Sequence, residues 1–204
     1  KDADKIKNLI DAKKISVIPH THIYHSALIR KQLGFSPQSL EEADKFFDYN
    51  NNLRQEIDKK VYQVLAESMK ESLKQNKNVI LDAGYFFQWQ RKLIYEELKN
   101  FEVDLIIIRV LCSDEDEIKR RLIKRKKEFD NSPLNETPSW NAYISSKQVM
   151  QPVHQRELIP EMSATIINYD TLTKMIEVTY GAKDSFNTKK IIEALENDGN
   201  NSGR

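Results

Sequence analysis

The sequence predicts an α/β domain built on a parallel sheet, and three observations carry that expectation. Apolar, β-rich runs alternate with stretches of helical periodicity, the pattern that lays helices on the faces of a parallel sheet. One run, residues 103–110, is apolar at nearly every position, as a strand buried on both faces requires. Another, Asn78-Val79-Ile80-Leu81-Asp82, stops on a carboxylate and breaks into Ala83-Gly84-Tyr85-Phe86, so a charge is held at the mouth of the sheet.

The elements follow in order. Residues 2–13 place Ile6, Leu9 and Ile10 on one side and Lys5, Lys7 and Asp11 on the other, a surface helix. Ile15-Ser16-Val17-Ile18 reads as a short buried strand closed by Pro19, whose missing N–H suits a strand end. His20-Thr21-His22-Ile23-Tyr24-His25 then reads as a polar loop facing the site. Ser39 and Glu42 form an S-x-x-E box that opens the next helix. From Ile57 through Val61, Leu65 and Met69 to Leu73 the apolar spacing is helical, giving a helical hairpin or one long bent helix that delivers the chain to Asn78.

Residues 90–98 and 115–127 are helices, the second with a basic end; 129–138 is a loop with two prolines; 140–156 resumes helix. Residues 164–168 are the last strong strand, ending near Asp170, with an edge strand over 174–180 and a closing helix over 188–195. Residues 1–196 thus make one domain, and 197–204 a polar, disordered tail.

Composition narrows the function. The 204 residues suffice for one domain with a real core. Lys and Arg at 32 against Asp and Glu at 31 give no global attraction to nucleic acid or membrane, leaving only local basic patches for such contacts. Cys112 is the only cysteine, so there is no disulfide framework and a reducing cytoplasm is the expected setting. No apolar run approaches the length of a membrane span.

Five features in order then carry a resemblance. They are the strand ending in Asp82; Arg91, nine residues on; a second buried strand; the turn Cys112-Ser113-Asp114; and a helix with Arg121 and Arg125 in an R-x-x-x-R pattern. This order resembles the P-loop kinase-like AAA domain family, relatives of zeta toxins and polynucleotide kinases, over roughly residues 15–170. The resemblance implies a P-loop NTPase-like parallel sheet with helices on both faces and a lid at about 121–140. It also implies a central first strand followed by the G-x-x-x-x-G-K-[ST] loop that cradles phosphates. No glycine precedes Gly34, so neither that strand nor that loop is in this sequence, which is expected to begin just after them.

The implied activity is transfer of the ATP γ-phosphoryl group, with Mg²⁺, to a hydroxyl of a small molecule or nucleic-acid end. Asp82 would organise Mg²⁺ through water or take the acceptor proton, and Arg121 and Arg125 would close over the phosphates. Arg30 matches the Arg of the family's D-x-x-R-k-x-L-g segment, and with His22 and Arg91 it is expected on the acceptor side. The Asp of that segment is replaced by Ala27 in strict register, or by His22 if the strand end is used. Neither supplies an anionic base.

Two other readings stand beside this one. A nucleotide fold without its loop and acceptor Asp suits a non-catalytic binding module. The His20-x-His22-x-x-His25 run resembles the ligand strings of metallo-β-lactamase-like hydrolases and of zinc α-mannosidases, since imidazoles two apart on extended backbone face one side. Neither pattern's aspartate is present, because Ile23 and Tyr24 fill its place.

Overall fold

The computed structural model describes residues 20–46, 52–127, 139–158 and 162–201. The helix expected over 2–13, the strand over 15–18 and the loop over 129–138 lie outside the described residues. So does most of the expected lid.

The described residues open with β1 (Thr21–His25), which leads directly into α1 (Ser26–Gln32). The histidine run is therefore strand and not loop, and β1 is carried by its interior contacts. His22 Nδ1 and Tyr24 Oη each lie 2.8 Å from Ser72 Oγ of the long helix behind the sheet. After a turn, α2 (Leu40–Phe46) begins at Ser39, whose Oγ accepts from the Glu42 N–H at 3.1 Å, while the Glu42 carboxylate reaches back to the Gln38 N–H. α3 (Asn52–Lys74) runs for 23 residues and buries Ile57, Val61, Leu65 and Met69 along one stripe.

β2 (Asn78–Asp82), α4 (Gln88–Leu98), β3 (Leu105–Leu111) and α5 (Glu115–Lys127) follow as the periodicity requires. Asp114 starts α5 by accepting from the N–H groups of Asp116 and Glu117. α6 spans Trp140–Val149 and does not reach the expected residue 156. Pro152 is the reason: a residue before proline is driven out of the helical region, and the chain is already extended at Met150, with ψ 122°. A single 3₁₀ turn, Gln155–Glu157, precedes β4 (Ala164–Asp170), β5 (Ile176–Tyr180) and α7 (Phe186–Asn201). Helix α7 thus extends to Asn201, into the stretch expected to be a tail, anchored upstream by Leu195, Ile191 and Ile192 against β4 and β5.

Among the described residues the strands form two sheets. β1 and β2 pair in parallel; β3 and β4 pair in parallel, with β5 antiparallel on the outside. β2 and β3 share no ladder. They are joined by side chains instead: Ile94 and Leu98 of α4, with Ala66 and Met69 of α3, pack against Val79 and Leu81 on one side and Leu105 on the other. The fold is an α/β arrangement of seven helices and five strands among the described residues, as a P-loop NTPase-like class requires.

Candidate active site at the ends of β1 and β2

The parallel register sets His25 opposite Asp82, so β1 and β2 end together and present both side chains at their carboxyl ends. This is the edge at which α/β sheets receive ligands. His25 Nδ1 lies 2.7 Å from Asp82 Oδ2, with the imidazole 10% and the carboxylate 30% exposed. An ionised carboxylate only accepts, so Nδ1 is the donor and, in the neutral ring, Nε2 is left as an acceptor. No other described residue hydrogen-bonds to either side chain. Asp82 Oδ1 therefore remains open on the partly exposed side of the pair.

The turn that follows is held from two directions. Tyr85 sits at φ 47°, a left-handed conformation that a bulky side chain adopts only when its surroundings impose it. Its N–H donates to Tyr62 Oη of α3 at 3.2 Å, and its carbonyl accepts from Arg91 Nη1 of α4 at 2.9 Å. Its ring packs edge-on to Tyr62 with centroids 5.1 Å apart, and burial drives its phenol well above the ordinary tyrosine range. The carboxylate of Asp82 is thus placed by a rigid, internally bonded turn.

A second polar cluster closes β3 and β4. Thr171 Oγ1 donates to the Leu111 carbonyl at 3.0 Å and accepts from Arg121 Nη1 at 2.7 Å, while Arg121 Nε donates to Glu117 at 2.7 Å. Arg120 adds two further bonds to Glu117, and with Arg121 it holds that carboxyl down to about 2. Asp170 Oδ1 accepts from the N–H groups of Leu172 and Thr173, both at 2.8 Å. Burial opposes its charge, yet those two N–H groups and the Ser113 hydroxyl hold its carboxyl below the usual range. Arg121 is one-quarter exposed, and Arg125 follows one turn later on the same face, half-buried.

The remaining expected site residues are placed elsewhere. Arg91 is buried and forms a two-pronged ion pair with Glu157, Nε at 2.8 Å and Nη2 at 2.7 Å, besides donating to the carbonyls of Tyr85, Gln151 and Pro152. It staples residues 151–157 to the turn after β2, with Nε, Nη1 and Nη2 all engaged within the protein. Arg30 is equally buried; it pairs with Asp58 at 3.8 Å beside Arg54 at 3.0 Å, under the Phe46 ring. Burial raises the Asp58 carboxyl and the two guanidinium groups oppose that shift. Arg30 thus ties α1 to α3.

His22, three residues from His25, points to the opposite face of β1 and is bound to Ser72. His20 is exposed at φ 61°. The three histidines do not converge, and among the described residues no group of three or more His, Cys, Asp or Glu is placed to hold a metal. His25 is the functional candidate whose partner the sequence did not reveal. The available signal was its place: it is the last residue before the Ser26-Ala27-Leu28-Ile29-Arg30 segment, hence at a strand end.

Mg²⁺ keeps several waters and takes one or two carboxylates plus substrate phosphates. A lone, partly exposed Asp82 with one oxygen open fits that demand. The phosphate cradle is a different matter, since the 204 residues contain no G-x-x-x-x-G-K-[ST] loop.

Parallel strands with crossover helices, an Asp at a strand's carboxyl end and arginines on the helix after the next strand define a P-loop NTPase-like domain of kinase-like type, a nucleotide-binding fold. A family model described as AAA domain matches residues 23–144, from within β1 to within α6. That is more than half of the chain, and the chain belongs to this family. No curated protein matches it. No helix among the described residues is long and apolar enough to cross a membrane.

Proposed function

We propose that this chain is a kinase-like protein that moves a phosphoryl group from ATP to a hydroxyl of a small molecule or a nucleic-acid end. The His25–Asp82 pair carries the reading. The family's acceptor Asp is Ala27 here, and the pair restores a base at the neighbouring strand end. Asp82 Oδ2 holds Nδ1–H, which fixes the tautomer and leaves Nε2 to accept the proton of the attacking hydroxyl. As that proton arrives, the charge on the imidazolium is met by the carboxylate 2.7 Å away. Oδ1 of Asp82 is free to orient a water of hydrated Mg²⁺, which, bound with the triphosphate, would neutralise charge on the transferred group. Arg121, anchored on Thr171, and Arg125 present guanidinium groups toward phosphate oxygens.

The test is ADP release by the polypeptide as its source cell makes it, with polyols, nucleosides and 5′-hydroxyl oligonucleotides as acceptors. His25→Gln is expected to lower kcat about 10²–10⁴-fold while leaving the nucleotide Kd unchanged. An unaltered kcat would remove His25 from the mechanism. Binding of nucleotide with no acceptor phosphorylated would favour the second reading, a non-catalytic binding module, which Ala27 at the acceptor position supports.

A further inference from the structure

Beyond that reading, a cavity of about 720 Å³ lies on the face of the β3–β4–β5 ladder, beneath the 3₁₀ turn, and shares no lining residue with the His25–Asp82 pair. Its walls are unusual in charge. Arg109 is the single charged residue of β3, Leu-Ile-Ile-Ile-Arg-Val-Leu, and it has no hydrogen bond or ion pair. Directly across the ladder stands Asn168, whose Oδ1 is buried without a donor because its Nδ2 is spent on Glu177. Arg109 makes no hydrogen bond to that oxygen and lines the cavity. Arg156 and His154, both exposed, line it as well, and neither side chain has an acidic partner among the described residues. The one carboxylate present, Glu157, is neutralised by its double bond to Arg91.

Arg109 is partly exposed and Arg156 is exposed, so both guanidinium groups are open to a ligand arriving from solvent. Two arginines lining one cavity suit a phosphate, whose oxygens accept paired N–H bonds. The rest of the wall suits what a phosphate is attached to. Val153 and Ile166 give an apolar floor and the Tyr180 ring a stacking surface, and the volume falls within the ordinary range for small-molecule sites. We infer that this cavity is a binding site for a small phosphomonoester, with Arg109 and Arg156 holding the phosphate.

Isothermal titration of the intact protein with AMP, and with inorganic phosphate alone, tests this. AMP is expected to bind saturably and more tightly than phosphate. Arg156→Gln, an exposed substitution that leaves the fold undisturbed, and Arg109→Gln should each weaken AMP about ten- to a hundredfold, and Arg109→Lys should recover part of the loss. Asp82→Asn should leave this binding unchanged, which separates the cavity from the proposed kinase site whether or not that site proves active. No saturable binding of either probe would overturn the proposal. So would affinity that falls with Asp82→Asn but survives Arg156→Gln.

Discussion

Replacing Arg91 by Met tests how residues 151–158 are held to the domain. Arg91 and Glu157 are 4% and 5% exposed, and the pair makes two bonds shorter than 3 Å. Truncating one partner of a buried, hydrogen-bonded ion pair costs about 3–5 kcal/mol, because the other charge is stranded. The carbonyls of Tyr85, Gln151 and Pro152 lose their donor at the same time, which places Arg91→Met toward the upper end. For a domain of this length each kcal/mol moves Tm by about 2–4 °C, so the melt should fall by roughly 6–20 °C. Circular dichroism melts of Arg91→Met, Glu157→Gln and the double variant measure it. The double variant should be far less than additive, since the two changes remove one interaction. A single-variant shift within about 2 °C, the size of an ordinary surface effect, would refute the argument. If acceptor KM rose while Tm held, Arg91 would return to the substrate side.

Two further outcomes follow from the geometry. Glu117, held down to about 2 by Arg120 and Arg121, contributes stability that is complete above its ordinary carboxylate value near 4.5 and is lost as pH falls toward 2. Amide exchange in α5 should accelerate over that window, and Glu117→Gln should abolish the dependence. Gly181 sits at φ +91°, where an added Cβ would lie 2.2 Å from the Ala164 carbonyl oxygen and 2.8 Å from Thr165 Cα. Gly181→Ala should therefore destabilise by at least about 1–3 kcal/mol, read as a lower urea midpoint with an unchanged m-value.

The half of the fold from β2 to α5 was legible because its signals are local. A β-branched run ending in Asp, a helix of clean periodicity and an apolar strand each announce themselves within about a dozen residues. β1 was not legible. Thr-His-Ile-Tyr-His lacks the aliphatic density of a buried strand, and its stability comes from Ser72, fifty residues away, and from pairing with β2. The candidate site divides the same way. Asp82 was marked by its position at the end of a run, whereas His25 became its partner only through strand register. Arg30 and Arg91 were plausible acceptor-side residues in sequence and are ion-paired in space, since Asp58 and Glu157 are distant along the chain and near in the fold. Arg109 was hidden by the apolar run that contains it.

Among the described residues no backbone ladder joins β2 to β3, and α4 is the gasket between two plates. The relative placement of the His25–Asp82 end and the Arg121–Thr171 end is then sensitive to the shapes of Ile94 and Leu98. Ladders shift only in whole-residue steps, but interlocked side chains yield by fractions of an ångström. A single methylene exchanged on α4 would thus retune the span between base and arginines continuously, without touching any group that meets a ligand.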